Sequence, residues 1–183
     1  MRDISLHILD IAENALRAGA SLIEIDVTID DERDLLQVRV QDNGCGMSGE
    51  MMQKVRDPFT TSRETRHVGL GIPLLCAGCE RTGRGVSISS ETGRGTSLTA
   101  EYAFSHIDRP PIGDIAETLF ALTAMNPGVD FVLTAKRNGT FVFDTREVKQ
   151  TLQGVPVTSP EVSAFLNGYL KEGTEQVFGG SNI

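Results

Sequence analysis

A carboxylate followed closely by two glycines stands at the end of a predicted strand, in the hexapeptide Asp42-Asn43-Gly44-Cys45-Gly46-Met47. The carboxylate can accept the exocyclic amino hydrogens of an adenine. Residues without a Cβ, here Gly44 and Gly46, let a flat ligand or another backbone come close. Asp-Asn-Gly is also a common turn signal. The hexapeptide alone therefore leaves two interpretations open, an adenine-binding site that includes Met47 or a plain turn.

A second carboxylate and a side-chain amide are spaced one helical turn apart, at Asp10 and Asn14. Apolar residues recur with helical periodicity over residues 4–18, and residues three and four apart on a helix are neighbours. The amide oxygen of Asn14 can bind Mg²⁺, and Asp10 can orient a water or accept a proton. The alternative is a solvated helix face. His7 lies on the same face of the predicted helix. It is interpreted as a contact to the metal or to a lid that covers the site, or as a partly buried polar residue.

Hydroxyl and guanidinium groups are concentrated in residues 57–68, directly before a Gly-x-Gly and an apolar helix predicted over residues 72–79. Such side chains, and backbone N–H groups at a helix start, are good donors to phosphates. The pattern therefore predicts a loop that closes over phosphates. The candidate phosphate-binding residues are Thr60, Thr61, Arg63, Gly69, Leu70 and Gly71.

Alternating apolar residues predict the strands that position these groups. The predicted strands cover residues 22–29, 35–41, 85–90 and 95–104. The first two form an antiparallel pair that ends at Asp42, and the last two form a hairpin. Thr96 lies at the start of the final strand, next to Gly95.

Composition limits the function classes. The 183 residues have 39% hydrophobic content and a net charge of −8, which is typical of a globular protein and argues against a general binder of nucleic-acid backbones. No apolar run is long enough to span a bilayer, and the first residues lack the apolar core of a signal peptide. We therefore expect a cytoplasmic protein that binds no nucleic acid and no membrane.

The three cysteines do not suggest a disulfide framework, because their number is odd and a reducing compartment is expected. Cys76 and Cys79 form a C-x-x-C, which would suit a redox pair or half of a metal site. Packing of small side chains inside the predicted apolar helix is the favoured alternative.

Two prolines at positions 110 and 111 separate residues 1–104 from a C-terminal extension, residues 105–173. The extension is predicted to have the order α-β-β-α-α, with the hairpin turn at Asn138-Gly139 and a last helix that ends near Gly173. Residues 174–183 are expected to form a flexible tail. Because an isolated hairpin is marginal, the extension should continue the first sheet or pack on it as a small lobe. We favour one continuous unit.

Four stretches, in this order, resemble the GHKL superfamily of ATP-binding domains, which includes histidine kinases, type II topoisomerases, Hsp-class chaperones and mismatch-repair ATPases. Residues 10–20 resemble its N box, residues 42–47 its adenine-binding box, residues 59–71 its ATP lid, and Gly95-Thr96 its final Gly-Thr box. The resemblance covers residues 1 to about 104. It implies an α+β fold, a Bergerat-type two-layer sandwich in which helices cover one face of a mixed, mostly antiparallel sheet.

The resemblance also implies roles for individual residues. Asn14 would coordinate Mg²⁺, Asp42 would bind the adenine amino group of ATP or ADP, Thr96 would hold a water network beside the adenine, and Arg63 would meet the phosphates. Gly44, Gly46, Gly69 and Gly71 would shape the pocket and lid. Asp10 stands where hydrolysing members have a Glu one methylene longer, so its reach to an attacking water is in question.

These implications lead to three functional hypotheses. The first is transfer of the γ-phosphoryl group of Mg-ATP to a protein partner, because the lid is most similar to that of histidine kinases. The second is a slow, switch-like ATPase that uses Asp10 as the base and regulates a partner. The third is a nucleotide-sensing interaction module without catalysis. The acceptor and the oligomeric state are left open.

Overall fold

A computed structural model describes residues 3–55 and 71–179 of the chain. Its strands form one six-stranded sheet in the order β3-β4-β2-β1-β5-β6. Neighbouring strands pair antiparallel, except that β1 and β5 run parallel. The strands are β1 (Leu22–Asp30), β2 (Leu35–Asp42), β3 (Val86–Glu91), β4 (Gly95–Ala103), β5 (Asp130–Lys136) and β6 (Thr140–Asp144).

One face of this sheet forms the core, because its strands alternate between buried and partly exposed residues. In β1 every second residue, from Ile23 to Ile29, is buried, while the residues between them are half-buried. Register places Ile25 of β1 opposite Val40 of β2 and Leu133 of β5, so the buried side chains of adjacent strands share one face. The alternation of apolar residues along the strands therefore produces one continuous apolar face of the sheet.

Helices cover that surface. The described helices are α1 (Ile4–Arg17), α2 (Gly49–Lys54), α3 (Gly71–Arg81), α4 (Ile115–Met125), α5 (Thr145–Leu152) and α6 (Pro160–Phe178). α1 contacts α3 on one side and α4 on the other, and α4 contacts α6, so these four helices form one layer. The predicted α+β architecture, a mixed sheet with helices on one face, is confirmed. No helix among the described residues is long and apolar enough to cross a membrane.

The C-terminal extension has the predicted order, α4-β5-β6-α5-α6, and its two strands belong to the same sheet as the first part of the chain. β5 pairs with β1 over seven residue pairs, from Leu22↔Asp130 to Thr28↔Lys136. The segment around the two prolines is also held in place, because the backbone N–H of Ile4 donates to the carbonyl of Pro111. The extension is thus joined to the first part through backbone hydrogen bonds at both places.

The predicted end of the last helix was wrong. α6 continues past Gly173 to Phe178, so residues 174–178 are helical, and Val177 and Phe178 are buried against the core. From the sequence alone, Gly173 is expected to end the helix. In the structure, its missing side chain instead makes room for the ring of Phe141, which a Cβ at this position would overlap. A glycine selected by tertiary packing cannot be distinguished from a C-cap by sequence alone.

Replacing Gly173 by alanine therefore tests how α6 packs on the sheet. Alanine normally stabilises a helix interior relative to glycine by about 1 kcal/mol. Here the added Cβ meets the Phe141 ring, so we expect Gly173→Ala to lower the free energy of unfolding by about 1–3 kcal/mol. Urea denaturation measures the change.

Gly168→Ala in the same helix is the matched control, because nothing lies within 4 Å of a Cβ at that position. This variant should be as stable as the parent or gain up to about 1 kcal/mol. Equal effects of the two substitutions would contradict the packing of α6 against Phe141.

Candidate functional site

Asp42 is the last residue of β2 and lies in the interior of the sheet, between Ile23 of β1 and Thr96 of β4. Its Oδ1 accepts a hydrogen bond from the backbone N–H of Gly44 at 2.8 Å. Burial raises the pKa of the Asp42 carboxyl above its usual value, and the backbone N–H groups of Gly44 and Thr96 oppose that rise. A half-buried carboxylate with one oxygen bound internally retains acceptor capacity for a ligand.

Asn43 fixes the loop that follows Asp42, a role that sequence analysis missed. Its Oδ1 accepts hydrogen bonds from the backbone N–H groups of Ser21 and Leu22, and its Nδ2 donates to Ser21 Oγ. These three bonds tie the hexapeptide to the start of β1. In the sequence, the only signal was a turn tendency, because the partners lie 21 and 22 residues away.

The two glycines of the hexapeptide allow the chain's own backbone to approach closely. A Cβ on Gly44 would lie 2.9 Å from the carbonyl oxygen of Ala18, and one on Gly46 would overlap the carbonyl of Glu91. Gly46 also has a φ of 66°, in the left-handed region that favours glycine. Protein backbone thus accounts for both glycines, and direct contact of either with a nucleotide stays a prediction.

A small hydroxyl network joins the hexapeptide to β3 and β4. The backbone N–H of Met47 donates to Ser90 Oγ at 2.8 Å, and Ser90 Oγ lies 2.9 Å from Thr96 Oγ1. Thr96 also faces Asp42 across the β2–β4 ladder. The structure therefore brings Asp42, Met47 and Thr96 together, and their contact with a nucleotide stays a prediction. Ser90 was missed, because a serine in an edge strand gives no sequence signal for a partner 43 residues away.

α1 brings the second pair of candidates to the same region. The helix ends at Arg17, and the carbonyl of Ala18 accepts a hydrogen bond from the backbone N–H of Cys45 at 2.9 Å. Asp10 and Asn14 are both partly exposed and lie one turn apart. The C-terminal end of the Asn14 helix thus rests against the loop that begins at Asp42.

Arg17 contacts the candidate metal ligand directly. Its Nη1 donates to Asn14 Oδ1 at 3.0 Å, and its Nη2 lies 2.9 Å from Glu13 Oε2. The oxygen of Asn14 that would reach a metal is therefore bound to a guanidinium. Because this arginine is exposed, its side chain can turn away at small cost.

The described side chains around Asn14 offer few donors for a metal ion. No group of three or more His, Cys, Asp or Glu side chains suited to a metal occurs within residues 3–55 and 71–179. Mg²⁺ commonly uses one or two protein oxygens and takes its other ligands from phosphates and water. Asn14, with Asp10 one turn away, fits a magnesium ion that arrives with a nucleotide rather than a stand-alone protein site.

Most of the predicted phosphate-binding loop lies outside the described residues, including Thr60, Thr61, Arg63, Gly69 and Leu70. Their roles stay predictions. Gly71, the last of the set, is buried and is the first residue of α3. α3 contacts α1, so Gly71 begins a helix next to the one that carries Asn14.

The C-x-x-C lies in α3, as the packing interpretation predicted. Cys79 is completely buried, and burial raises the pKa of its thiol to about 11. Such a thiol is protonated at neutral pH and is a weak nucleophile, which disfavours a redox pair. Its neighbour is the buried Tyr102, whose hydroxyl lies beside the Cys79 thiol.

The chain is similar to proteins of a known ATPase family. Residues 2–106 match the family described as histidine kinase-, DNA gyrase B-, and HSP90-like ATPase, which covers more than half of the chain. The chain belongs to this ATPase family. Membership confirms the GHKL resemblance and supports ATP as the ligand of the site.

Relatives in sequence include sensor and sporulation kinases. Sporulation kinase D of Bacillus subtilis is 32% identical over 96 residues, which are 50% of this chain and 18% of that protein. Sensor kinase CckA of Brucella abortus is 31% identical over 68 residues, 37% of this chain and 7% of that protein. The chain spans less than a fifth of the length of the curated relatives it matches.

The fold also matches a solved ATPase domain. The ATPase domain of MutL from Aquifex aeolicus, complexed with ADP, has a TM-score of 0.51 and 18% identity. The match covers 84% of this chain and 70% of that structure. At this identity the likeness shows the fold alone. It extends past residue 106, so the likeness includes part of the C-terminal extension.

His7 provides a test of how α1 is packed. The imidazole is buried, and burial lowers its pKa below the ordinary value of about 6.5. The folded state therefore favours the neutral ring. The stability that the neutral His7 ring contributes is fully present above pH 6.5. It is lost as the pH falls below 6.5 toward the lowered pKa.

We expect the free energy of unfolding to decrease on acidification with a contribution of up to about 1.4 kcal/mol per pH unit from this one group. His7→Gln should remove that part of the slope, as measured by urea denaturation at several pH values. Above pH 7 the two curves should run parallel. An unchanged slope below pH 6.5 would show that His7 does not carry it.

Proposed function

We propose that this protein binds Mg-ATP and transfers the γ-phosphoryl group to a protein partner. The observation that supports this most directly is the half-buried Asp42 carboxylate at the meeting point of β1, β2 and β4. Membership of an ATPase family supports Asp42 as the adenine-recognising group. The finer choice of phosphoryl transfer rests on the relatives named as kinases.

Asp42 recognises adenine through the base's amino group in this proposal. A carboxylate accepts hydrogen bonds and donates none, so it favours a purine with an exocyclic amine at this position over one with a carbonyl. Gly44 binds one carboxylate oxygen, which fixes the carboxylate's orientation. The Met47–Ser90–Thr96 network provides hydroxyl groups beside it, where ordered water can bridge to the base.

Asn14 and Arg17 act at the phosphate end. We infer that Arg17 turns from Asn14 Oδ1 toward the phosphates, which frees that oxygen as a ligand. The guanidinium then offsets phosphate charge, and its planar fork suits bidentate contact. Magnesium, when bound with the nucleotide, supplies charge neutralisation at the phosphates. Asp10, one turn before Asn14, orients the attacking group. Thr60, Thr61 and Arg63 are proposed to complete the phosphate contacts.

Hydrolysis is the second candidate, and the placement of Asp10 is the feature that favours it. Asp10 and Asn14 share one face of α1, so a water held by Asp10 would lie on the phosphate side. The shorter side chain of Asp10 argues for slow turnover. We rank phosphoryl transfer above hydrolysis because relatives of the chain are named as kinases.

Asp42→Asn tests the adenine contact. An amide can donate where the carboxylate cannot, so the variant should lose its preference for an amino-bearing purine. Isothermal titration calorimetry with ADP and with inosine diphosphate, which has a carbonyl in place of the amine, measures this preference. We expect the parent to favour ADP by about tenfold or more and the variant to lose most of that difference.

Asp108→Asn is the control, because Asp108 is an exposed carboxylate in the segment after β4. Asp108→Asn makes the same change in charge as Asp42→Asn and should keep the parent's preference for ADP over inosine diphosphate. A variant at Asp42 that still discriminates between the two nucleotides as the parent does would exclude Asp42 from base recognition.

The fate of the phosphoryl group is tested with γ-labelled ATP, the protein, and each protein encoded beside it. Phosphoryl transfer predicts label on one of those proteins, and Asn14→Ala should reduce labelling about 100-fold or more. Steady release of free phosphate with no labelled protein would contradict the transfer proposal. If Asp10→Asn then stops that release while ADP binding is kept, the hydrolytic alternative is supported.

A further inference from the structure

An apolar groove lies on the C-terminal extension, between β6, α5 and α6, and shares no residue with the nucleotide site. Its volume is about 420 Å³. The apolar side chains that line it are Val142, Val148, Leu152, Val162, Phe165 and Tyr169. Phe143 and Leu166, both buried, lie at its base. The proposed function uses none of these residues.

Several large apolar side chains of the groove are exposed to solvent. Phe165 is 69% exposed, Val142 52% and Tyr169 45%. The Phe165 ring is stacked on Tyr169, with 6.2 Å between ring centroids and 9° between planes. Tyr169 in turn packs edge-on against Phe141, with centroids 5.3 Å apart. This aromatic ladder holds Phe165 at the surface, and contiguous exposed apolar residues of this kind mark interaction sites.

The charged side chains that line the groove are all acidic. Asp144, Glu147 and Glu161 contribute carboxylates to the lining, and no lysine or arginine of the described part of the chain belongs to it. Asp144 is paired with Arg146, with Oδ2 and Nη2 2.6 Å apart. Glu147 and Glu161 have no ion pair among the described residues. Both are exposed and so remain free to meet positive charge from outside.

We propose that this groove docks an amphipathic helix of a protein partner, with its apolar face against Phe165 and its neighbours and with lysine or arginine residues against Glu147 and Glu161. Apolar anchors at positions i, i+3, i+4 and i+7 of a helix form a stripe that suits a groove between two helices. The basic flank complements the acidic rim and sets the direction of docking.

Charge disfavours two other occupants. A second copy of this chain, placed groove to groove, would bring two sets of carboxylates together, and like charges at close range are unfavourable. A nucleotide is disfavoured for the same reason, because its phosphates would meet Glu147 and Glu161. The proposal therefore goes beyond nucleotide binding and adds a separate surface, on β6 rather than at the end of β2.

The test uses a synthetic, fluorescein-labelled peptide of about 14 residues, roughly four helical turns, with leucines at the four anchor positions and lysines elsewhere. A second peptide has glutamate in place of each lysine. Fluorescence anisotropy with the full chain measures binding, and amide chemical shifts locate it. We expect the lysine peptide to bind at the groove, and the glutamate peptide to bind at least about tenfold more weakly.

Two variants separate the apolar and the charged contributions. Phe165→Ser and the double change Glu147→Lys/Glu161→Lys should each weaken the lysine peptide by about tenfold or more. Met125→Ser, at another exposed apolar residue, and Glu32→Lys/Asp108→Lys, with the same change in net charge, are the controls and should have under about twofold effect.

Several results would overturn the proposal: no binding of the lysine peptide, chemical-shift changes outside the groove, equal affinity for the two peptides, or equal losses in the variants and their controls. Self-association of the chain that Phe165→Ser abolishes, measured by sedimentation equilibrium, would assign the groove to a second copy and would also overturn it. None of these results bears on nucleotide binding, so failure here and failure of the proposed function are distinguishable.

Discussion

The close approach of backbone to backbone around Asp42 determines the geometry of the whole site. Gly95, at a φ of 96°, lies so near the carbonyl of Asp42 that a Cβ would overlap it, and Gly46 stands in the same relation to Glu91. The hexapeptide is thereby pressed against the turn between β3 and β4, while Asn43 ties its other side to β1. Asp42 is therefore preorganised before any ligand arrives, which reduces the cost of binding.

This constraint also explains how much could be predicted from sequence. Local patterns predicted the local elements: the period of α1, the alternation of β1 and β2, and the turn at Asn138-Gly139 all correspond to observed structure. The family resemblance then gave the arrangement of α1, the Asp42 loop and β4. Local patterns and family motifs predicted the parts of the fold that depend on nearby residues or on a known motif.

What the sequence did not predict depends on contacts between distant residues. The role of Asn43 requires Ser21 and Leu22, and the role of Ser90 requires Met47. The true end of α6 depends on Phe141 packing into the space at Gly173. The apolar groove forms only when α5, α6 and β6 pack together. Apart from β6 and α5, which are consecutive, these partners are distant in sequence, so no local rule could have identified them.

The sheet places two different surfaces on one framework. Its interior strand β2 ends at the proposed nucleotide site, and its edge strand β6 lines the groove. β1 and β5 connect them through the parallel pair. If both proposals hold, nucleotide chemistry and partner docking share a rigid sheet and occupy separate regions of the surface, so that each can be changed by mutation without the other.

A crystal structure with magnesium and a nonhydrolysable ATP analogue tests the central claim most directly. We predict that the adenine amino nitrogen lies within hydrogen-bonding distance of an Asp42 carboxylate oxygen and that Arg17 has turned from Asn14 toward the phosphates. An analogue bound with its adenine away from Asp42, or with its phosphates remote from Asn14 and Arg17, would contradict it.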